Sequence, residues 1–298
     1  MYKWLSATAS KFGAPHARKL AELSIRLASF SSTADANSKL QRKVMGLSFP
    51  SPVGLAAGFD KHGKLYHLLP PLGFGFSEIG SVIPLPEAQR SLGLDAVVAI
   101  LTRHPKTHEA PLGVSISMNR ATPLELMAND YLICIEKLWW IADYIAINLG
   151  VRAGPDLHLP AHRATLYTVI VAVKNMQTRM MAETGINCPI VIKIDQDRGD
   201  TNNLLACVRD YAFDGLILSA GAHINEEKIK LANLQRASNK MSGRMPIISV
   251  GGIRTPNNVE DRLSAGASLV QIYSGIVEFG PFLPRLINKH LSKLDFPS

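Results

Sequence analysis

Apolar residues in this chain come in short unbroken runs, with little strict alternation. Runs rich in Val, Ile, Leu and Ala recur at "PVGLAAG" from Pro52, "FSEIGSV" from Phe76, "LGVSIS" from Leu112, "YIAINL" from Tyr144, "PIVIKI" from Pro189, "DGLILS" from Asp214, "PIISVGG" from Pro246 and "SLVQIYSG" from Ser268. A strand that is apolar on both faces must be covered on both, as in a parallel sheet wrapped by helices. Stretches long enough for helices lie between most runs, among them "ELMANDYLICIEKLWWIAD", "RATLYTVIVAVKNMQTRMMAET" and "NVEDRLSAGA". Eight such strands in about 250 residues predict an α/β fold, a closed (β/α)8 TIM barrel. A doubly wound open sheet is the alternative. No low-complexity segment or second-domain linker interrupts the pattern, so residues 46–298 are expected to form one barrel behind an N-terminal helical extension, residues 1–45.

The extension has a different character. "HARKLAELSIRLASF" places Leu20, Leu23, Leu27 and Phe30 at helical spacing, with Arg18, Lys19, Glu22 and Arg26 between them. Eight basic and only two acidic residues fall within the first 45, so most of the net charge of +8 is concentrated there. A basic amphipathic helix suits an anionic membrane surface, which predicts a cytoplasmic protein held peripherally on the inner face of a membrane. Packing of this helix on the barrel and an organelle transit peptide are the other two readings. No run approaches the roughly 18 apolar residues that span a bilayer, and the opening residues lack the apolar core of a secretory signal.

Composition narrows the chemistry further. Cys134, Cys188 and Cys207 are too few and too scattered for a disulfide framework or a zinc site, and are expected to be buried small residues. "KIDQDRGD" sets Asp195, Asp197 and Asp200 in one loop that begins like a calcium loop but lacks the remaining ligands, so a solvated loop and no metal are expected. Basic residues show no aromatic interleaving or recognition-helix pattern, which argues against nucleic acid.

In a barrel, function belongs at the C-terminal strand ends. Those ends hold Ala57 to Lys61, Ser81, Ser115, Asn148, Lys193, Ser219, Gly251 with Gly252, and Tyr273 with Ser274 and Gly275. "SVGGIRTPNN" and "QIYSGIV", on the last two strands, are small donor-rich turns entering helices, the usual phosphate site of such barrels. Lys61 and Lys193 add cations where a planar cofactor over the mouth would need positive charge; ion pairs at the rim are the alternative for each.

"MGLSFPSPVGLAAGFDKHG", "GFGFSEIGSV", "NDYLICIEKLWWIADYIAINL", "MPIISVGGI" and "AGASLVQIYSG" resemble the dihydroorotate dehydrogenase family, specifically its membrane-associated, quinone-using class 2 type. The resemblance runs over nearly the whole chain, the helical extension included. It implies a TIM barrel holding FMN, which takes a hydride from dihydroorotate and passes electrons to a quinone entering beneath the N-terminal helices. Carried over position by position, it implies flavin contacts at Ala57, Ser81, Asn148, Lys193, Ser219, Gly252, Tyr273 and Ser274, with Ser115, Gly251 and Gly275 beside them. Lys61 matches a lysine shared by flavin and substrate, and Asn148 is the second expected substrate contact.

The substrate half departs from that pattern. Val151 stands at the position of the family's serine base, Ala153 at the asparagine two residues on, and Ala220 at a strand-six asparagine. The family's asparagine-rich segment has no counterpart in "LGLDAVVAILTRHPKTHEA", and its Gly-Gly-Leu-Ser-Gly loop is missing from "AHINEEKIKLANLQRASNKMSGR". Valine cannot accept a proton, so no family catalytic residue is intact. His104 and His108, in the divergent segment, are the candidate replacement bases, with surface histidines as the alternative. The expectation is an FMN flavoprotein whose orotate-forming activity is lost or redirected to another small substrate. A working quinone-dependent enzyme with a rewired base and a non-catalytic membrane-surface protein on a dead barrel are the alternatives.

Overall fold

The computed structural model describes residues 14–30, 38–104, 109–150, 156–157, 159–196, 201–221 and 226–294, with the backbone alone at 14–16 and 203. Helix α1 (Ala14–Phe30) precedes an antiparallel hairpin of β1 (Arg42–Val44) and β2 (Leu47–Phe49). Its turn residues Met45 and Gly46 both have positive φ, 55° and 76°, as a two-residue type I′ turn requires. The eight anticipated strands follow: β3 (Val53–Leu55), β4 (Phe76–Val82), β5 (Leu112–Ile116), β6 (Tyr144–Asn148), β7 (Ile190–Asp195), β8 (Gly215–Ser219), β9 (Ile247–Val250) and β10 (Leu269–Ile272). They pair in parallel in chain order, and β10 pairs back onto β3 to close the barrel. Outside lie α2 (Leu94–Leu101), α3 (Met127–Leu138), α4 (Arg163–Thr184), α5 (Thr201–Asp210), α6 (Glu227–Met241), α7 (Pro256–Ser264), α8 (Ser274–Phe279) and α9 (Leu283–Leu291).

Two apolar shells hold this together. One lies between strands and helices and contains Cys134, Cys188 and Cys207, all buried free thiols as their number and spacing predict. The other fills the barrel. There Phe76 and Tyr144 occupy the space that side chains on Gly54 and Gly113 would need, since a Cβ on either glycine would come within 2.4 Å and 2.1 Å of the facing ring. Val44 and Phe49 of the hairpin join this inner cluster and close its N-terminal end, with Phe49 set edge-on to Phe76 at 5.3 Å.

The link from β3 to β4 holds 3-10 turns at Tyr66–Leu68 and Pro70–Leu72, and α1 covers it. Ala21, Ile25 and Ala28 pack against Leu65, Leu69 and Leu72, while Arg18 and Arg26 donate to the carbonyls of Phe59 and Lys64. The helix does pack on the barrel, but through this alanine–isoleucine face and not through the leucine stripe. Leu20, Leu23, Leu27 and Phe30 are 44%, 53%, 65% and 87% exposed, which leaves α1 with a second, outward apolar face. Among the described residues no helix is long and apolar enough to cross a membrane.

Candidate active site at the barrel mouth

Three strand-end side chains singled out in the sequence meet at the mouth. Asn148 at the end of β6 donates from Nδ2 to Ser81 Oγ on β4 (2.9 Å), and Ser81 Oγ lies 3.2 Å from Ser115 Oγ on β5. The other end of the amide is fixed too, because Asn148 Oδ1 accepts the Gly150 N–H at 3.1 Å, while its carbonyl accepts the Tyr131 hydroxyl from α3. Asn148 and Ser81 thus present an oriented polar edge. Ser115, expected among the ligand contacts, is fully buried, and its hydroxyl lies against that of Ser81.

Beneath this edge lies a group that the sequence reading passes over. Glu78 of β4, with no exposed surface, accepts Lys193 Nζ at 3.0 Å, Gln271 Nε2 at 2.8 Å and the Tyr144 hydroxyl at 3.2 Å. Burial, reinforced by the Glu78 charge, pushes the Tyr144 phenol well above its ordinary range and keeps it a neutral donor. The sequence predicts for Lys193 a cation bound to a cofactor or paired at the rim. It does form an ion pair, with Glu78 inside the barrel and not at the rim, and its Nζ forms the link between the barrel interior and the mouth. A signal for this does exist in the sequence: one Glu, one Lys and one Gln in otherwise apolar strands must find one another.

Lys61 is likewise engaged, donating to the Gln89 carbonyl at 3.2 Å, and burial followed by the Arg18 charge lowers its pKa from the ordinary lysine value. This tethers the connection between β4 and α2 over the mouth. The same connection is clamped on its other side: Glu87 accepts Arg90, the Arg120 N–H and Asn119, and Asn119 in turn binds both backbone groups of Leu85. Burial alone would raise the Glu87 carboxyl, but these donors outweigh it and hold it below the ordinary value.

At the far side, Gly251 and Gly252 turn out of β9 with φ of 111° and 75°, conformations that disfavour any side chain. A Cβ on Gly251 would stand 2.4 Å from the Ala220 carbonyl, and one on Gly252 would stand 2.4 Å from Lys230 Nζ. Tyr273 follows β10 with its ring edge-on to Phe59 at 5.7 Å, next to Ser274 and the buried Gly275, whose Cβ would meet the Ile253 carbonyl at 2.6 Å. Ser219 ends β8, half-buried, with its carbonyl accepting Gln196 N–H. Ala57, half-buried in the turn after β3, completes the ring of strand ends.

Known proteins share this barrel over most of its length. The quinone-type dihydroorotate dehydrogenase of Methylobacillus flagellatus is 34% identical over 287 residues, covering 82% of this chain and 84% of that protein. That of Pseudomonas fluorescens is 32% identical over 294 residues, covering 84% and 85%. The chain belongs to the dihydroorotate dehydrogenase family. The family model itself, described as dihydroorotate dehydrogenase, matches residues 219–294. The Eimeria tenella dihydroorotate dehydrogenase, solved in complex with ferulenol, has the same fold at a TM-score of 0.81, with 22% identity over 94% of this chain and 91% of that one.

The positions expected on the substrate side are only partly described. Val151, Ala153 and His108 lie outside the described residues. Ala220 is described: its N–H donates to the Val250 carbonyl and its methyl lies against Gly251, so no polar side chain points from that position. His104, expected near the mouth, is not there. It follows α2, which returns toward the N-terminal strand ends, and its ring stacks on His67 at 4.0 Å beside Tyr66. Tyr66 in turn feels the charge of Asp143, just ahead of β6 at the opposite end of the barrel from Asn148. Asp195 departs from the solvated-loop expectation. It is the last residue of β7, level with Ser219, and its carboxylate lies 3.1 Å from where a Cβ on Gly150 would stand. The next residue, Gln196, is 7% exposed, and neither of its side-chain amide atoms has a partner among the described residues. Asp197 and Asp200 lie outside the described residues, and among the described residues no cluster of three or more acidic, His or Cys groups could hold a metal.

Proposed function

We propose that this chain is an FMN-dependent oxidoreductase of the dihydroorotate dehydrogenase family, peripheral to a membrane and passing electrons to a quinone. In this reading its orotate-forming chemistry is slowed or redirected to another small substrate. The observation that carries it is the oriented Asn148–Ser81 edge directly above the Lys193–Glu78 pair. These donors fit the polar edge of a flavin, and the side-chain-free turns at Gly251–Gly252 and Ser274–Gly275 fit its phosphate. FMN, when bound there, supplies a ring that accepts a hydride. Asn148, Ser81 and Lys193 would hold and orient that ring, and the clamped Pro84–Gly93 connection would exclude water.

What the chain lacks is a family proton acceptor beside the ring. A missing general base costs roughly 10²- to 10⁴-fold in rate, and a polar substrate group left facing Ala220 costs about 1–3 kcal/mol. The outward face of α1 supports the membrane part of the proposal: exposed Leu and Phe flanked by Arg and Lys suit an anionic surface on the cytoplasmic side.

Asp195 favours a second reading. Its carboxylate lies against Gly150, the residue immediately before Val151, and would serve a working dihydroorotate dehydrogenase as the base. The visible spectrum of the purified protein, before and after anaerobic addition of dihydroorotate, separates these readings. A flavin band that persists supports the first. A band that bleaches promptly, and no longer does so in Asp195→Asn, supports the second. No flavin band after FMN is supplied sinks both.

A further inference from the structure

We propose that Lys230 is the cation that binds the phosphate of the flavin, a role that rests on the FMN reading above and makes it more specific. Lys230 lies in the first turn of α6, which rises from the mouth directly after β8, and it is only 6% exposed. Its Nζ rests where a side chain on Gly252 would be, so the ammonium touches the side-chain-free turn.

The charge balance around it is uneven. Among the described residues Lys230 has one hydrogen-bond acceptor, Glu227 Oε2 at 3.3 Å, and an ammonium has three protons to give. Among the same residues Glu227 is also the sole carboxylate partner of Arg262, whose Nε and Nη2 both reach Oε1, at 2.9 Å and 2.6 Å. Arg262 has no exposed surface, and it also holds Ser249 Oγ and the Gly251 carbonyl. The nearby Arg254 and Glu278 satisfy each other at 2.7 Å and contribute no spare charge. One carboxylate therefore faces two sequestered cations. A buried charge is tolerated when it is compensated, and an anion on the Gly251–Gly252 turn would supply that compensation. A phosphate monoester carries close to two negative charges at neutral pH and three acceptor oxygens, which matches the unused ammonium protons. Arg262 acts here as a positioning residue, fixing Glu227 and the Gly251 carbonyl.

The test titrates FMN and riboflavin, which differ only by the phosphate, into wild type, Lys230→Met and Lys230→Arg, following quenching of flavin fluorescence at fixed ionic strength. Wild type is expected to bind FMN far more tightly than riboflavin. Lys230→Met should weaken FMN on the order of 10- to 100-fold while leaving riboflavin affinity nearly unchanged, since hydrogen bonds to charged groups are worth more than neutral ones. Lys230→Arg should keep most of the preference. If Lys230→Met keeps the wild-type ratio of the two affinities, Lys230 is only a structural partner of Glu227 and the proposal fails. If wild type binds both flavins equally, the phosphate is not read here and the proposal fails while the flavin site stands. Binding of neither flavin by wild type overturns both. Should Lys230→Met lose both flavins together, Lys230→Arg decides: a retained FMN preference supports the role, and a lost preference with riboflavin still bound overturns it.

Discussion

Glu78 on β4 ties β6, β7 and β10 together inside the barrel. It has no exposed surface and accepts three hydrogen bonds, one of them from the Lys193 ammonium at 3.0 Å. Replacing Glu78 by Gln removes the charge and keeps the shape. The new amide can also donate to Gln271 Oε1, which has no partner among the described residues, so some neutral hydrogen bonding is rebuilt. The loss then falls on the ion pair. At that separation and an effective dielectric of about 20 the direct attraction is about 5.5 kcal/mol, and removing one partner of a buried pair costs about 3–5 kcal/mol because the other charge is left uncompensated. With an unfolding entropy of about 2.1 cal/mol/K per residue, a chain of 298 residues should lose about 5–8 °C in Tm.

The decisive assay is a double-mutant cycle of Glu78→Gln and Lys193→Met, followed by urea and thermal unfolding. Lys193→Met is expected to recover part of the stability lost in Glu78→Gln, with a coupling of about 2 kcal/mol or more. Effects that add within about 0.5 kcal/mol would refute the reasoning, since the two charges would then not need each other.

Other expected outcomes are more local. Asn148→Ala strips Ser81 of its donor and should weaken FMN about tenfold, measured by fluorescence quenching, with a loss of about 1 kcal/mol in urea unfolding for the hydrogen bond removed. Arg262→Met leaves Glu227 without its principal partner and should cost about 3 kcal/mol in urea unfolding, the lower end for a buried pair because the Glu227 side chain is 30% exposed. Burial, with contributions from neighbouring charges, lowers the pKa of His62 and His67 from the ordinary 6.5. Both are held neutral in the fold, so the stability this gives is present above pH 6.5 and is lost as pH falls through their folded values; His62→Gln with His67→Gln should flatten that part of the pH–stability curve. Leu27→Ser with Phe30→Ser should reduce partitioning onto anionic vesicles roughly tenfold or more without shifting the melting temperature, because neither residue packs on the barrel.

The eight strands can be read from the sequence because buried parallel strands are apolar without interruption, a signal that needs no tertiary knowledge. Strand ends are equally legible, and so Asn148, Ser81 and the glycine turns stand out in the sequence itself. Pairings across the barrel do not. Glu78 and Lys193 are 115 positions apart, and their meeting follows from closure of the sheet, a property of no single segment. Helical periodicity reveals only one of the two apolar faces of α1. Leucines outrank alanines on any hydropathy scale, yet the close approach of α1 to the 3-10 turns selects Ala21 and Ala28 and leaves the leucines outside. His104 is misplaced because it follows α2, and in a parallel barrel the helix after a strand runs back to the N-terminal end, away from the mouth.

The two halves of the mouth differ in what holds them. Asn148, Ser81, Ser115, Lys193 and Glu78 sit on strands whose neighbours are in close contact, so a change at one leaves a buried polar group unpaired in another and costs stability as well as binding. Position 220 lies one residue past the end of β8, where a side chain is not required by the sheet. Ala220 illustrates this: its backbone bond to Val250 is independent of its side chain. A side chain there can therefore change at little cost to the fold, whereas the polar group formed by Asn148, Ser81, Lys193 and Glu78 is tied to the barrel's own stability. The same asymmetry explains why the Glu227–Lys230–Arg262 group is informative. Its two cations are buried, its charges do not cancel, and a fold that keeps such a group keeps it most readily where a bound anion completes it.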